Sequence, residues 1–175
     1  MKSRLSFLAL AFTSSLLIAG CSDDNPTAPA GPTTVTETFT ATLTQANEVP
    51  GVTNEGGAAG TVTVTLHESK DAQLNLTAAT TDFQVTLTGF NAGTTITAAH
   101  IHPGSAGVNG SALVNLGLTA GEVALTNGAG SITKTGIAFD LAQANAFIAN
   151  PSTFYFNVHT ALNGGGAIRG QLARR

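Results

Sequence analysis

The sequence predicts an all-β domain: an antiparallel β-sandwich carrying one short helix. Apolar residues alternate with Thr or Asn at a period of two along most of the chain. Helix-period patterning is nearly absent, and Gly- or Asn-rich breaks recur between the alternating runs. One apolar and one polar face per strand is the pattern of antiparallel strands with one side on a core and the other in water.

The runs follow in order. Phe39, Ala41 and Leu43 alternate with threonines, as do Val62, Val64 and Leu66. Leu74 and Leu76 alternate in the same way, and so do Phe83, Val85 and Leu87. Further strands are expected over 96–102, 112–116, 131–139, 154–160 and 167–173. The breaks fall at 54–60, 89–93, 103–110, 126–130 and 163–166. Seven or more short strands with frequent turns indicate a sandwich or small barrel. The helix is expected over Leu141–Ala149, with Asp140 as its N-cap, Asn150-Pro151 as its stop, and Phe147 and Ile148 packing it down.

The first 35 residues read differently. Lys2 and Arg4 precede an apolar stretch from Leu5 to Ala19. That stretch has the length of a signal-peptide core and is short of the ~20 residues a spanning helix needs. It ends Leu17-Ile18-Ala19-Gly20-Cys21, a lipobox, so residues 1–20 are expected to be a lipoprotein signal peptide and Cys21 the lipidated residue. Residues 21–35 form a Pro-rich linker, leaving 36–175 as the folded domain. The expected location is the cell envelope, outside the cytoplasm, tethered to the lipid bilayer by acyl chains on Cys21. Ser22 favours an outer membrane where one exists. Cys21 is the only cysteine, so no intrachain disulfide can form. Loss of Lys2 and Arg4 leaves five basic and ten acidic residues, a balance that argues against nucleic acid as a partner.

Three of the four histidines fall in two short motifs: Ala99-His100-Ile101-His102-Pro103-Gly104 and Phe156-Asn157-Val158-His159-Thr160. On a strand, His100 and His102 share a face about 6–7 Å apart. A third imidazole, His159, from a neighbouring strand gives the three-ligand minimum of an open metal site, with copper or zinc as the cofactor. The alternative is that these histidines are structural and tie their strands to the loop at 103–110. Tyr155, Asn157 and His159 share one face of their strand. Glu48 is the nearest candidate carboxylate, with an ion pair to Arg169 as its structural alternative. His67, beside Glu68, is expected exposed in a turn. No Gly-x-Ser-x-Gly elbow, Gly-x-Gly-x-x-Gly or phosphate-binding loop is present, and no catalytic nucleophile is assigned.

These motifs resemble the chordin-type (CHRD) domain family over roughly 37–173. The chain opens the likeness with Leu43-Thr44-Gln45-Ala46-Asn47-Glu48-Val49-Pro50 and continues it from Ala99 through His100, His102, Gly104, Gly107 and Asn109 to Gly110. It closes with Tyr155-Phe156-Asn157-Val158-His159-Thr160 and Ala167-Ile168-Arg169-Gly170-Gln171-Leu172. Gly51, Ser111-Ala112, Gly164 and Ala167 depart from the family pattern, and Ala167 stands where an acidic residue is common. The resemblance implies export and a β-sandwich, of immunoglobulin-like or superoxide-dismutase-like type, and no defined reaction. A weaker likeness to copper–zinc superoxide dismutases lies in the His-x-His strand, the late His strand and the Gly-rich stretch before an Arg. The chain lacks their disulfide and their full zinc loop, so that likeness bears on metal binding alone.

The expected function is a membrane-tethered, extracytoplasmic binding or structural module. It would hold a divalent transition metal on His100, His102 and His159, with Glu48, Tyr155, Asn157 and Arg169 in supporting or structural places. The alternatives are a copper- or zinc-dependent enzyme acting on a small oxidant, and an adhesion or matrix module that recognises an extracellular protein or glycan.

Overall fold

The computed structural model describes residues 31–175, so the signal segment, Cys21 and most of the linker lie outside the described residues. Long strands come first: β1 (Thr33–Thr44), β2 (Ala59–Lys70) and β3 (Leu76–Thr88). β4 (Ile96–Pro103), β5 (Val114–Asn115) and β6 (Gly130–Ala138) follow, then α1 (Leu141–Ala149). The chain ends with β7 (Phe154–Thr160), β8 (Ile168–Gln171) and β9 (Ala173–Arg174). β1 takes in the last three residues of the expected linker: Thr33 to Val35 pair with Lys70 to Glu68 of β2.

All pairings are antiparallel, and the strands form one sheet in the order β5-β4-β7-β8-β1-β2-β3-β6, with β9 also on β1. The expected division into two packed sheets is not what forms. The sheet curls on itself into a nearly closed barrel, and its end strands approach each other across the gap. Lys134 of β6 reaches over to the segment after β5, with an ion pair to Glu122 of 2.6 Å and a long 3.5 Å hydrogen bond to Gly117 O. The sheet is continuous because β8 wedges between β7 and β1. Gly170 permits it: a Cβ there would lie 2.1 Å from Thr42 O.

The interior follows from the alternation. Cross-strand register stacks Phe39, Val64 and Phe83 in one layer and Ala41, Val62 and Val85 in the next. Ala99, Ile101, Phe156, Val158 and Ile168 supply the opposite wall, and all are buried. α1 plugs one end. The Asp140 side chain accepts from Gln143 N at 3.1 Å and caps it. Phe147 packs into Phe39, Phe139 and Phe154, at centroid distances of 4.4, 5.6 and 5.3 Å.

Two local expectations fail. Leu74 is not in a strand. It is exposed, at φ 66°, in a turn where Asp71 accepts from Gln73 N and Asn75 N. His67 is not in a turn. It sits within β2, half-buried, with Nε2 2.9 Å from Asp82 Oδ2.

Candidate metal centre

β7 breaks the rule that one strand face meets water: all seven of its residues are buried. Its inner face carries Phe154, Phe156 and Val158 into the core, while its outer face carries Tyr155, Asn157 and His159. Register places His102 opposite Tyr155 and His100 opposite Asn157, with Asn157 in turn opposite Arg169 of β8. One polar face therefore runs across β4, β7 and β8. Three segments roof it: the turn at 45–52, the loop at 104–110 and the loop at 161–166.

Among the described residues, His100, His102 and His159 bring one ring nitrogen each to within 4.8 Å of one another. His102 Nδ1 lies 2.9 Å from Gly110 O, and His159 Nδ1 lies 3.0 Å from Gly164 O. A carbonyl oxygen can only accept, so both Nδ1 atoms carry protons and both Nε2 atoms present lone pairs. His159 Nε2 receives the Nδ1–H of His100 at 3.0 Å. His102 Nε2 receives nothing: it is buried and unpartnered. Anchoring imidazoles by backbone carbonyls is how proteins orient metal-ligating histidines.

All three imidazoles are held neutral at pH 7. Burial pushes His100 down to about 4, with the neighbouring His159 and His102 adding to it. Burial also lowers His159, against the raising effect of its bond to Gly164. It lowers His102 too, against the Gly110 bond, with His159 and Arg169 lowering it further. Of the three, His100 is the more exposed, so the cluster opens to solvent on the β4 side.

The flanking residues lock this geometry. Tyr155 stacks parallel on His102 at 4.8 Å, and the Arg169 guanidinium lies 3.8 Å from the centroid of the Tyr155 ring. Tyr155 OH accepts from Gly110 N at 3.2 Å, so the glycine that fixes His102 is itself fixed. Arg169 Nη1 donates to Asn109 Oδ1 at 2.9 Å and Nη2 to Val108 O at 3.1 Å. Asn109 Nδ2 donates to Val49 O at 2.8 Å, joining the 104–110 loop to the 45–52 turn.

The expected Glu48–Arg169 ion pair does not form among the described residues. Glu48 Oε2 instead accepts from Asn157 Nδ2 at 3.4 Å. Burial pushes Glu48 up to about 7, against the lowering effects of the Arg169 charge and the Asn157 bond. Asn157 thus separates the histidines from the carboxylate, and Glu48 is not part of the three-nitrogen group.

One residue escaped the sequence reading. Glu55, fully buried, accepts from Thr160 Oγ1, from Asn163 Nδ2 at 3.0 Å and from Thr94 Oγ1 at 3.2 Å. It ties the end of β7 and the 161–166 loop to the 45–56 segment, and so holds the carbonyl that orients His159. Its position in a Gly-rich break gave no sign of burial.

The chain matches the family model of the CHRD domain over residues 39–172. It belongs to the CHRD domain family. The family is a module of extracellular type, and the match covers the second half of β1 and all of β2 to β8, including both histidine motifs. No curated protein and no solved structure matches the chain. Among the described residues, no helix is long and apolar enough to cross a membrane.

Proposed function

We propose that this CHRD chain is a lipid-anchored, extracytoplasmic module that binds one divalent transition metal, zinc or copper, through His100, His102 and His159. The observation that carries the metal reading is His102 Nε2. It is a lone pair of fixed tautomer, buried without a partner beside two further imidazoles. An orphaned buried acceptor costs roughly 1–3 kcal/mol, a cost that ligation would remove.

The spacing supports the same reading. Two nitrogens bound at ~2.0–2.1 Å in a tetrahedral site lie roughly 3.3 Å apart, close to the 3.0 Å between His100 Nδ1 and His159 Nε2, while the group as a whole, which spans up to 4.8 Å, would draw in on ligation. His100 would present Nδ1 by carrying its proton on Nε2, toward the solvent side. Three neutral ligands and no carboxylate leave a fourth position open. The tether rests on the Leu17–Cys21 lipobox and the acyl chains it implies.

Calorimetric titration of the full chain with zinc and with copper tests the metal reading. The expected result is about one equivalent bound, with affinity reduced by more than roughly 100-fold in His102→Ala while the β-rich circular dichroism is retained. Undiminished binding in that variant would sink it. Cys21→Ser should move the protein from the membrane to the soluble fraction, and retention at the membrane would remove the lipid anchor from the account.

A further inference from the structure

Nothing inside the fold favours leucine at position 74. Its φ of 66° lies in the left-handed region, which only Gly, Asn and Asp enter at little cost. The one other non-glycine residue in that region, among the described residues, is Asn127. Packing does not offset the strain, because Leu74 is 71 % exposed, the highest value of any large apolar residue described.

The turn is nevertheless built to hold this conformation. The Asp71 carboxylate accepts from Gln73 N at 2.9 Å, Asn75 N at 2.8 Å and Asn75 Nδ2 at 3.0 Å. Its carbonyl accepts from Leu74 N at 3.0 Å, and its own N–H donates to Asn75 O at 3.0 Å. The turn thus offers a strained aliphatic side chain on a rigid tip, and strain held in place by its surroundings points to a role outside the fold.

The position of the tip says what it meets. Thr33, where the tether enters β1, pairs with Lys70, and Lys70 pairs with Leu76, so tether and turn stand side by side at one end of the barrel. Eleven residues separate Cys21 from Thr33, and a chain of that length reaches at most about 40 Å. Acyl chains on Cys21 therefore keep this turn near one bilayer. A second, weak contact with the same bilayer then forms at high effective concentration. The exposed positions 72–75 are Ala, Gln, Leu and Asn, so no charge resists their desolvation, and removing leucine from water drives the contact. We infer that Leu74 inserts into the surface of the bilayer that carries the tether, and so fixes which end of the barrel faces the membrane. The inference rests on the reading of Cys21 as the lipid-bearing residue.

The chain has no tryptophan, so one introduced tryptophan reports on one position. The test uses the full chain, purified from membranes and placed in phosphatidylcholine vesicles with and without bromine on the acyl chains. Leu162 is the control: it is 60 % exposed, in a loop whose Ala161 N bonds Thr95 O beyond the far end of β3. The 13 residues of β3 separate it from the 71–75 turn by roughly 40 Å of strand. The expected result is emission that shifts to the blue and is quenched by brominated lipid in Leu74→Trp, with neither effect in Leu162→Trp. In the parent chain, vesicles should slow hydrogen exchange at residues 72–75. Leu74→Asn, which suits the turn, should keep the β-rich circular dichroism and lose that slowing. Unquenched emission in Leu74→Trp, equal quenching in Leu162→Trp, or parent exchange that vesicles do not slow would overturn the inference and leave the anchor standing. A blue shift that brominated lipid does not quench would give Leu74 a protein neighbour instead, and would overturn it too. Failure of the parent chain to sediment with the vesicles would remove anchor and inference together.

Discussion

Replacing Gly166 by alanine tests how the loop before β8 is fitted onto the polar face. Gly166 has φ 133°, a conformation that side chains rarely adopt, and a Cβ there would lie 2.6 Å from both Glu48 Oε2 and Asn157 Nδ2. The backbone strain costs roughly 1–3 kcal/mol, and forcing the buried pair aside adds about 1–3 kcal/mol of overpacking. The sum, roughly 2–6 kcal/mol, is a large part of the ~5–15 kcal/mol that holds a domain folded. Gly165→Ala is the internal control, because nothing lies within 4 Å of a Cβ at that position. Urea unfolding of the two variants should show a marked loss of stability for Gly166→Ala and a change within about 0.5 kcal/mol for Gly165→Ala. Equal stability of the two variants would refute the close approach of Gly166 to Glu48 and Asn157.

Phe147→Ala empties the aromatic plug beneath α1 and should lower stability by about 3–5 kcal/mol in urea unfolding; a loss below 1 kcal/mol would mean the helix does not seal the barrel. Asp140→Ala removes the helix cap and should cost about 1 kcal/mol by the same assay. Acid should weaken the fold through His100. Its folded value of about 4 lies below the ordinary 6.5, so its contribution is intact above pH 6.5 and lost as the pH falls toward 4. The shift sets a ceiling of roughly 3 kcal/mol, and screening at the solvent edge reduces this to about 1–2 kcal/mol. Glu48 works in the opposite sense: its raised value, about 7, gives a contribution present below 4.5 and lost as the pH rises through 7. Between pH 4.5 and 6.5 the two oppose, so Glu48→Gln should lose more stability than the parent on going from pH 7 to pH 5; an equal loss would contradict these assignments.

What the sequence disclosed follows the range of the forces involved. The helix was legible to the residue because Asp140, Phe147 and Asn150-Pro151 act within a few positions of it. The inward residues of β1 to β3 were legible because alternation records which face is buried. Leu74 was misread because its apolar character outweighed the Asp71 turn chemistry beside it. The start of β1 was misread because Thr33–Val35 gain their order from β2, some 33 residues away, and not from their Pro-flanked surroundings. The single curled sheet was hidden for the same reason: β8 joins β7 to β1 with Gly170 against Thr42, and no local pattern separates one curled sheet from two packed ones. At the site, alternation put His100 with His102 and Tyr155, Asn157 and His159 on one face. The cross-strand register that joins the two faces, the separation of Glu48 from the histidines and the burial of Glu55 are all tertiary facts.

The central claim is that three imidazoles form one metal centre, and X-ray absorption on the zinc-loaded full chain addresses it most directly. The expected spectrum has three imidazole nitrogens at about 2.0–2.1 Å and one further light atom, falling to two imidazoles in His159→Ala. A zinc shell of oxygen ligands alone, or a spectrum unchanged in His159→Ala, would contradict the claim and leave the three histidines as structural ties between β4, β7 and their loops.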